Sequence, residues 1–358
     1  MFKKNYFRLY ANCQLVKGAR RSIICDLQKG QFVYISEPLI TILNTLQKHT
    51  IQYTLKKFPE YSNTIKNLIK YLIEIDYGHY VQNPKQFPDL NLTFEIPRKI
   101  HDCIIELSDI TFKYHKKILK ELTKLGAQFI EFRSYQAFDL KKLQTLLNFM
   151  PYTRFRGVDI IIPYSSNNNI SVYKQFIDEN LIINQFIIHS CSDTTLLNST
   201  FERLIFTQEK IDSSKHCGKI FPENFMINIE LFLESQHYNT CLNRKISIDA
   251  EGNIKNCPSM LHSYGNIKNT NLTEVIKKKS FQKYWHIKKD EITVCKDCEF
   301  RHICTDCRAY LENPEDLYSK PLKCGYNPYA CQWEEWSTHP LKQKAIEFYD
   351  LREIIEKS

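Results

Sequence analysis

The sequence is poor in glycine, with nine glycines among 358 residues. Glycine-rich loops that enclose phosphate groups are therefore not expected. The N-terminal residues MFKKNYFRLYANCQ contain no apolar stretch that would form a secretory signal. No apolar run approaches the roughly 18 residues that a membrane-spanning helix needs. These absences predict a cytoplasmic protein without a membrane partner.

Cysteine, in contrast, is abundant, with 13 in the chain. Most of them lie between residues 241 and 331. In a chain without an export signal, thiols are expected to stay reduced, so this clustering favours metal binding over disulfides. The net charge of +9 is spread over helical patterns without a long basic run. That distribution favours a solvated surface over a nucleic-acid partner.

The N-terminal part predicts a small α+β module. The β-rich runs RSIICDL (21–27) and QFVYI (31–35) flank the turn-like QKG, which favours a hairpin. Helical patterns follow at 37–48, 50–58 and 62–77. The last one places apolar residues on one face and lysines on the other. A hairpin with three helices is typical of a winged-helix-like module.

The middle of the chain alternates between apolar runs and helical patterns, such as those at 112–125 and 139–149. This spacing favours βα units that form a parallel sheet or a partial (β/α) barrel, so the fold class is α/β. Strands are predicted at 103–107, 129–132, 158–162, 184–188, 203–206 and 226–232. The chain thus divides into a module at 1–81, a linker at 82–98, a βα barrel at 99–237, a cysteine-rich region at 238–339 and a helix at 340–358.

The cysteine-rich region opens with CLNRKISIDAEGNIKNC, residues 241–257. KISI and NIK predict two short strands, and Gly252 supplies the positive φ that the turn between them needs. Such a hairpin brings the cysteines at its outer ends together. Two Cys-x-x-Cys pairs follow in CKDCEFRHICTDC, residues 295–307, before Cys324 and Cys331. Iron–sulfur clusters use such spacings, whereas the five-residue gap is short for a zinc ribbon; both metals stay open.

This pattern, from Cys241 through Gly252 to Cys324, resembles the SPASM domain. That domain carries auxiliary clusters in many radical S-adenosylmethionine (SAM) peptide maturases. The resemblance covers residues 238–335 and departs from the family by having two residues, not three, between Cys304 and Cys307. It implies two 4Fe–4S clusters, one held by Cys241, Cys257 and Cys307 and the other by Cys295, Cys298, Cys304 and Cys324. Cys331 would complete the first, or that site would stay open to a peptide side chain.

The radical SAM motif itself is missing. The first predicted barrel strand is followed by SDITFKYHKK, and no cysteine occurs from 104 to 190, where a CxxxCxxC loop would stand. A glycine-rich GGE segment is replaced by RSYQAFDL, residues 133–140. The combination resembles the SPASM-domain maturases of grasp-with-spasm systems, in which an ATP-grasp ligase modifies a short precursor peptide.

This second resemblance implies a degenerate radical SAM barrel that does not use SAM, and no catalytic residue is predicted. The chain would then present the precursor peptide to an ATP-grasp ligase. Two alternatives stay open: a redox enzyme that uses the auxiliary clusters, and a zinc-stabilised scaffold. The N-terminal module resembles the PqqD-like element that binds a leader peptide as an added strand. The candidate peptide contacts are Phe32, Tyr34, Lys66, Lys70 and Tyr71.

Overall fold

The computed structural model describes residues 5–198 and 201–356. Its N-terminal part contains five strands and three helices. They are β1 (Tyr6–Leu9), β2 (Cys13–Lys17), β3 (Arg21–Asp26), β4 (Gln31–Ser36), α1 (Glu37–Lys48), α2 (Ile51–Lys57), α3 (Ser62–Glu74) and β5 (Gly78–Val81). Strands β2, β3 and β4 form an antiparallel sheet in that order, and β1 pairs with β5. The predicted hairpin and the three helices are confirmed, except that α3 ends three residues early.

The helices cover one face of the three-stranded sheet. Helix α2 begins where the Thr50 side chain accepts a hydrogen bond from the backbone N–H of Tyr53, which satisfies a donor at the helix start. Helix α3 turns its apolar stripe inward and leaves its lysines in solvent. The buried residues of that stripe are Ile65, Leu68, Ile69 and Leu72, and they pack in one cluster with Ile24 and Ile35 of the sheet.

The opposite face of this sheet packs against the cysteine-rich region. Ile23 and Cys25 share a hydrophobic cluster with Phe300. Beside them, Arg21 Nε donates to the fully buried carboxylate of Glu299 at 2.6 Å. Because a buried carboxylate without its cation is costly, this pair ties the module to the cysteine-rich region more firmly than an exposed ion pair would.

The predicted linker at 82–98 has no strand or α-helix, but it is bound along its length. Its backbone carbonyls accept hydrogen bonds from side chains on both sides of the molecule. Arg8 of β1 donates to the carbonyl of Phe87, and His237 Nε2 lies 2.7 Å from the carbonyl of Leu92. The segment is therefore held by hydrogen bonds to the N-terminal module at one point and to the region before the hairpin at another.

The central sheet has seven strands in the order β10-β9-β8-β7-β6-β11-β12. Strands β6 to β10 are parallel and adjacent in chain order, as βα units predict. The elements are β6 (Asp102–Glu106), α4 (Asp109–Lys113), α5 (His115–Leu125), β7 (Phe129–Arg133), α6 (Leu140–Leu147), β8 (Gly157–Pro163), α7 (Ile170–Glu179), β9 (Ile183–His189), α8 (Thr194–Leu197) and β10 (Leu204–Phe206). The first five predicted strands are confirmed.

The sixth predicted strand, 226–232, is wrong. The structure forms helix α9 (Ile229–Ser235) there, so the sheet contains no strand from this run. Asn228 precedes the helix, and its side chain accepts a hydrogen bond from the backbone N–H of Leu231 at 2.8 Å. This cap starts a helix in a run of apolar residues whose composition favours a strand.

The cysteine-rich region adds two strands to the same sheet. Strand β11 (Lys245–Ile248) pairs in parallel with β6, and β12 (Ile254–Lys255) pairs with β11 in an antiparallel hairpin. The hairpin is confirmed, but the sequence does not predict that it joins the central sheet. The remaining elements are α10 (Leu272–Val275), α11 (Lys279–Gln282), β13 (Tyr326–Asn327), β14 (Gln332–Trp333), α12 (Gln343–Phe348) and α13 (Arg352–Glu356).

The single helix predicted for 340–358 is wrong. Helices α12 and α13 are separated by Asp350, which has a φ of 52°. This left-handed conformation stops an α-helix. Across residues 5–198 and 201–356, none of the helices combines the length and the apolar character that crossing a bilayer requires.

Candidate metal centre

The hairpin β11–β12 positions two of the cysteines. Gly252 in its turn has a φ of 85°, as the sequence predicts, and an added Cβ would lie 3.0 Å from Ile267. The turn is closed by a hydrogen bond of 2.9 Å from the N–H of Gly252 to the carbonyl of Asp249. At the open end of the hairpin, Cys241 packs against the small hydrophobic cluster that contains Cys257, so the two cysteines lie in the same region, as the hairpin prediction requires.

Cys307 and Cys217 lie beside the hairpin cysteines. Cys257 interacts electrostatically with both, and Cys307 interacts with Cys241 as well. Next to Cys217, an added Cβ at Gly218 would lie 2.9 Å from the Cys307 sulfur, so this part of the backbone approaches Cys307 closely. We call Cys217, Cys241, Cys257 and Cys307 the hairpin group.

Sequence reasoning missed Cys217. It stands 24 residues before the first cysteine of the hairpin pattern, on the far side of α9. The only local signal is the glycine that follows it, which has a φ of 85°. The side chain of Lys323 fixes this segment, because its Nζ donates to the carbonyl of Cys217 at 2.9 Å.

The four remaining cysteines form a second set, which we call the knuckle group: Cys295, Cys298, Cys304 and Cys324. Cys298 interacts electrostatically with Cys295 and Cys304, and Cys324 interacts with the same two. The Cys295–Cys298 turn is closed by a hydrogen bond of 3.0 Å between their backbones. The sequence resemblance implies that these four cysteines hold one cluster, and their role as ligands stays a prediction.

The predicted ligand Cys331 has different surroundings. It lies between β13 and β14 with a φ of 57°, and its sulfur lies 3.8 Å from the carbonyl oxygen of Pro328. Its thiol interacts electrostatically with Tyr326. The structure thus brings Cys217 to the hairpin group, and a ligand role for Cys331 stays a prediction.

The chemistry of these two groups fits a thiolate-bound metal centre. Burial raises the pKa of Cys295 and Cys307 to about 12 and that of Cys304 to about 11. Because metals bind the thiolate, a cationic centre must offset this penalty. Four soft sulfur ligands are the usual set for an iron–sulfur cluster or a structural zinc ion. In the described part of the chain, no three Cys, His, Asp or Glu side chains are close enough to hold a single metal ion.

A buried cation accompanies the knuckle group. Lys289 is 4% exposed, and its Nζ lies 3.2 Å from the Cys304 sulfur. The anionic surroundings, Cys304 above all, raise the pKa of Lys289 against the opposing effect of burial. A charge-assisted contact of this kind stabilises the thiolate form of Cys304.

The carboxyl end of β6 is closed by hydrogen bonds. Glu106 is 7% exposed, and its carboxylate accepts from the Tyr135 hydroxyl at 2.6 Å and from the Ala250 N–H at 3.1 Å. Burial raises the pKa of Glu106. Ser108 caps α4 and also donates to the carbonyl of Ala250 at 2.5 Å. The hairpin turn therefore packs directly on the loop where the sequence lacks the CxxxCxxC motif.

The five candidate peptide contacts separate into two sets. Phe32 and Tyr34 of β4 contact Phe300 of the cysteine-rich region edge to face, at ring-centroid distances of 5.7 and 6.3 Å. Tyr34 nevertheless stays half exposed, with the Arg21 guanidinium 4.0 Å from its ring centre. The second set, Lys66, Lys70 and Tyr71, lies exposed on α3, which packs against β5.

A cavity of about 700 Å³ is lined in part by residues that neighbour Cys217 and Cys324 in the sequence. Lys219 and Lys323 line it, and each is within two residues of a group member. The apolar walls include Trp333 and Trp336. A volume in this range accommodates a small ligand or a few residues of a peptide.

These features, a parallel α/β sheet extended by a cysteine-bearing hairpin, agree with a comparison to known families. The family model of the SPASM domain, an iron–sulfur cluster-binding domain, matches residues 240–299. The matched segment contains the hairpin and the first Cys-x-x-Cys pair. A comparison with curated proteins finds no match.

Among solved structures, the chain is similar to SuiB of Streptococcus suis bound to S-adenosylmethionine, with 13% identity over 92% of this chain and 99% of that chain and a TM-score of 0.35. SuiB without a named ligand gives 12% identity, 89% and 98% coverage and a TM-score of 0.33. SuiB bound to the precursor peptide SuiA gives 11% identity over 86% of this chain and 94% of that chain, with a TM-score of 0.30. These TM-scores are too low to support an argument about the fold, so the fold is described from the strand order of the central sheet alone.

Proposed function

We propose that this chain takes part in the cytoplasmic maturation of a ribosomally synthesised peptide. It binds two 4Fe–4S clusters in its cysteine-rich region and presents the precursor peptide to an ATP-grasp ligase, without cleaving SAM. The observation that carries the proposal is the match of residues 240–299 to an iron–sulfur cluster-binding domain, a segment that contains Cys241, Cys257, Cys295 and Cys298.

The hairpin group would hold one cluster and the knuckle group the other. When bound, such clusters supply one-electron chemistry and cross-link distant parts of the chain. In this chain the cross-links would join the segment around Cys217, the hairpin and the Cys295–Cys307 block. Burial alone favours the protonated form of these thiols, so the positive charge of a bound metal centre is needed to stabilise the thiolates.

The absence of SAM chemistry is part of the proposal. The loop after β6 carries no cysteine. Glu106 and Ser108 at that position are bonded to the hairpin turn through Ala250. Polar groups that would be free to bind a ligand at the ends of parallel strands are thus engaged within the protein.

Peptide binding is proposed at the edge of the N-terminal sheet. Strand β4 is an end strand, and among the described strands it pairs with β3 alone. An extended leader peptide could add beside it by backbone hydrogen bonding. Tyr34 is exposed on this strand, and the lysines of α3 offer positive charge on the same module. The cavity near Trp333 is a candidate place for the segment that follows the leader.

Metal analysis of the anaerobically purified protein tests the cluster proposal. We expect about eight iron atoms and eight acid-labile sulfides per chain, as two 4Fe–4S clusters require, together with broad visible absorption that fades on reduction by dithionite. Zinc without sulfide would contradict the proposal and favour the scaffold alternative. Product formed from the peptide by this protein alone would favour the redox-enzyme alternative.

Charge reversal on α3 tests the leader site. The double variant Lys66→Glu/Lys70→Glu should weaken binding of an acidic leader peptide about tenfold at low salt, because it replaces attraction by repulsion. Fluorescence anisotropy with a fluorescently labelled acidic peptide as the probe measures this. The control Lys277→Glu/Lys279→Glu changes the net charge equally at exposed positions of the cysteine-rich region. Equal affinity of the two variants would remove α3 from the site.

A further inference from the structure

A buried lysine lies beside the knuckle group. The Lys289 ammonium is 3.2 Å from the Cys304 sulfur, 3.2 Å from the carbonyl of Thr305 and 3.9 Å from a carboxylate oxygen of Asp306. A buried ammonium needs such partners, because it has lost its water. Lys289 is therefore held by a knuckle-group thiol on one side and by an acidic side chain on the other.

Asp306 continues this contact toward the hairpin group. It is 1% exposed, and one of its oxygens pairs with Arg308 at 2.8 Å. Its other oxygen accepts a hydrogen bond from the Asn239 amide. The amide oxygen of Asn239 in turn accepts the backbone N–H of Cys241 at 3.0 Å. A continuous series of buried polar contacts thus runs from Cys304 to Cys241.

The two charges act on overlapping sets of thiols. Lys289 interacts with Cys304, Cys295 and Cys324, which all belong to the knuckle group. Asp306 interacts with Cys295 and Cys304 and also with Cys241 of the hairpin group. Asp306 is therefore placed to influence both groups, whereas Lys289 faces one.

We propose that Lys289 and Asp306, joined to Cys241 through Asn239, form a charge bridge that sets the reduction potentials of the two clusters. The inference rests on the proposed function, since it requires clusters in both groups. The two residues hold charge near the clusters and are positioning residues. Neither is a ligand.

The direction of each effect follows from charge. One-electron reduction adds one negative charge to a cluster, so a nearby ammonium favours the reduced form and a nearby carboxylate disfavours it. Both side chains are buried, so water and salt screen them little. Loss of the Lys289 charge should lower the potential of the knuckle cluster. Loss of the Asp306 charge should raise the potentials of both clusters.

The test is an anaerobic dithionite titration of the full-length protein, followed by electron paramagnetic resonance and visible absorption. Lys289→Met should lower the equilibrium constant for reduction of one cluster about tenfold, which is about 59 mV for a one-electron couple. Asp306→Asn should raise the constants of both clusters by a similar factor. Lys289→Arg keeps the charge and should restore the wild-type potential. Lys296→Met, at an exposed lysine next to Cys295, serves as the control and should change little.

Iron and sulfide are measured on every variant, which separates the two levels of the argument. Wild-type protein without iron would overturn the proposed function and the bridge with it. Normal iron in Lys289→Met and Asp306→Asn with unchanged potentials, or with shifts of the same sign, would overturn the bridge alone. If Lys289→Met does not fold, the change in the two reduction potentials of Asp306→Asn decides. Two raised potentials support the bridge, and any other result overturns it.

Discussion

Replacing Cys304 with serine is expected to remove at least half of the iron and to unfold the cysteine-rich region. Cys304 is 6% exposed and belongs to the knuckle group. Its loss also takes from the buried Lys289 its sulfur partner. A charge left without its partner in the interior adds to the cost of the lost ligand. Iron should fall from about eight atoms per chain to four or fewer.

Loss of structure is expected around Cys257 and Cys295, where the apolar cores are small, whereas Cys304 itself packs in a larger cluster with Phe300 and Ile303. One consists of Leu242, Cys257 and Met260, and another of Ile287, Ile292 and Cys295, each with a few half-buried neighbours. Cores of this size bury too little apolar surface to hold a fold by themselves, so metal binding supplies folding free energy. Near-ultraviolet circular dichroism and urea unfolding measure the loss of structure.

The matched control is Cys103→Ser. Cys103 is also buried, but it lies on β6, where its thiol points at the carbonyl of Phe129 at 3.4 Å, a contact that a serine hydroxyl can replace. This variant should keep the wild-type iron. Wild-type iron in Cys304→Ser would contradict the assignment of Cys304 as a ligand.

Local patterns in the sequence predicted much of this architecture. The hairpin was predictable because Gly252 and the short β-rich runs act within 17 residues, and Gly252 has the positive φ that its position requires. The parallel strands were predictable because βα units repeat along the chain. In each case the residues that determine the structure are neighbours in sequence.

Contacts between distant residues were not predictable in this way. The pairing of β11 with β6 joins residues more than 140 positions apart, and so does the docking of Arg21 on Glu299. Helix α9 replaced a predicted strand because a single cap, Asn228, outweighed the composition of an apolar run. The place of Cys217 in the hairpin group was not predictable for the same reason, because only the fold brings it near Cys257.

Replacing Cys217 with alanine tests the fourth position of the hairpin group. The alanine removes the thiol and leaves the carbonyl that binds Lys323, so the local backbone should stay in place. We expect iron to fall to about half, because the hairpin cluster keeps only three cysteine ligands and releases its iron during purification. The visible absorption should fall in proportion.

A parallel Cys331→Ala variant decides whether Cys217, which the structure suggests, or Cys331, which the sequence suggests, is the fourth ligand of the hairpin group. Cys331 was predicted from its place after Cys324, whereas the structure gives it contacts with Pro328 and Tyr326. If Cys217 completes the hairpin group, Cys331→Ala keeps its iron and Cys217→Ala loses it. The reverse result would restore Cys331 as the ligand. Wild-type iron in both variants would mean that three cysteines suffice, and that the fourth iron position is open to a side chain of the bound peptide.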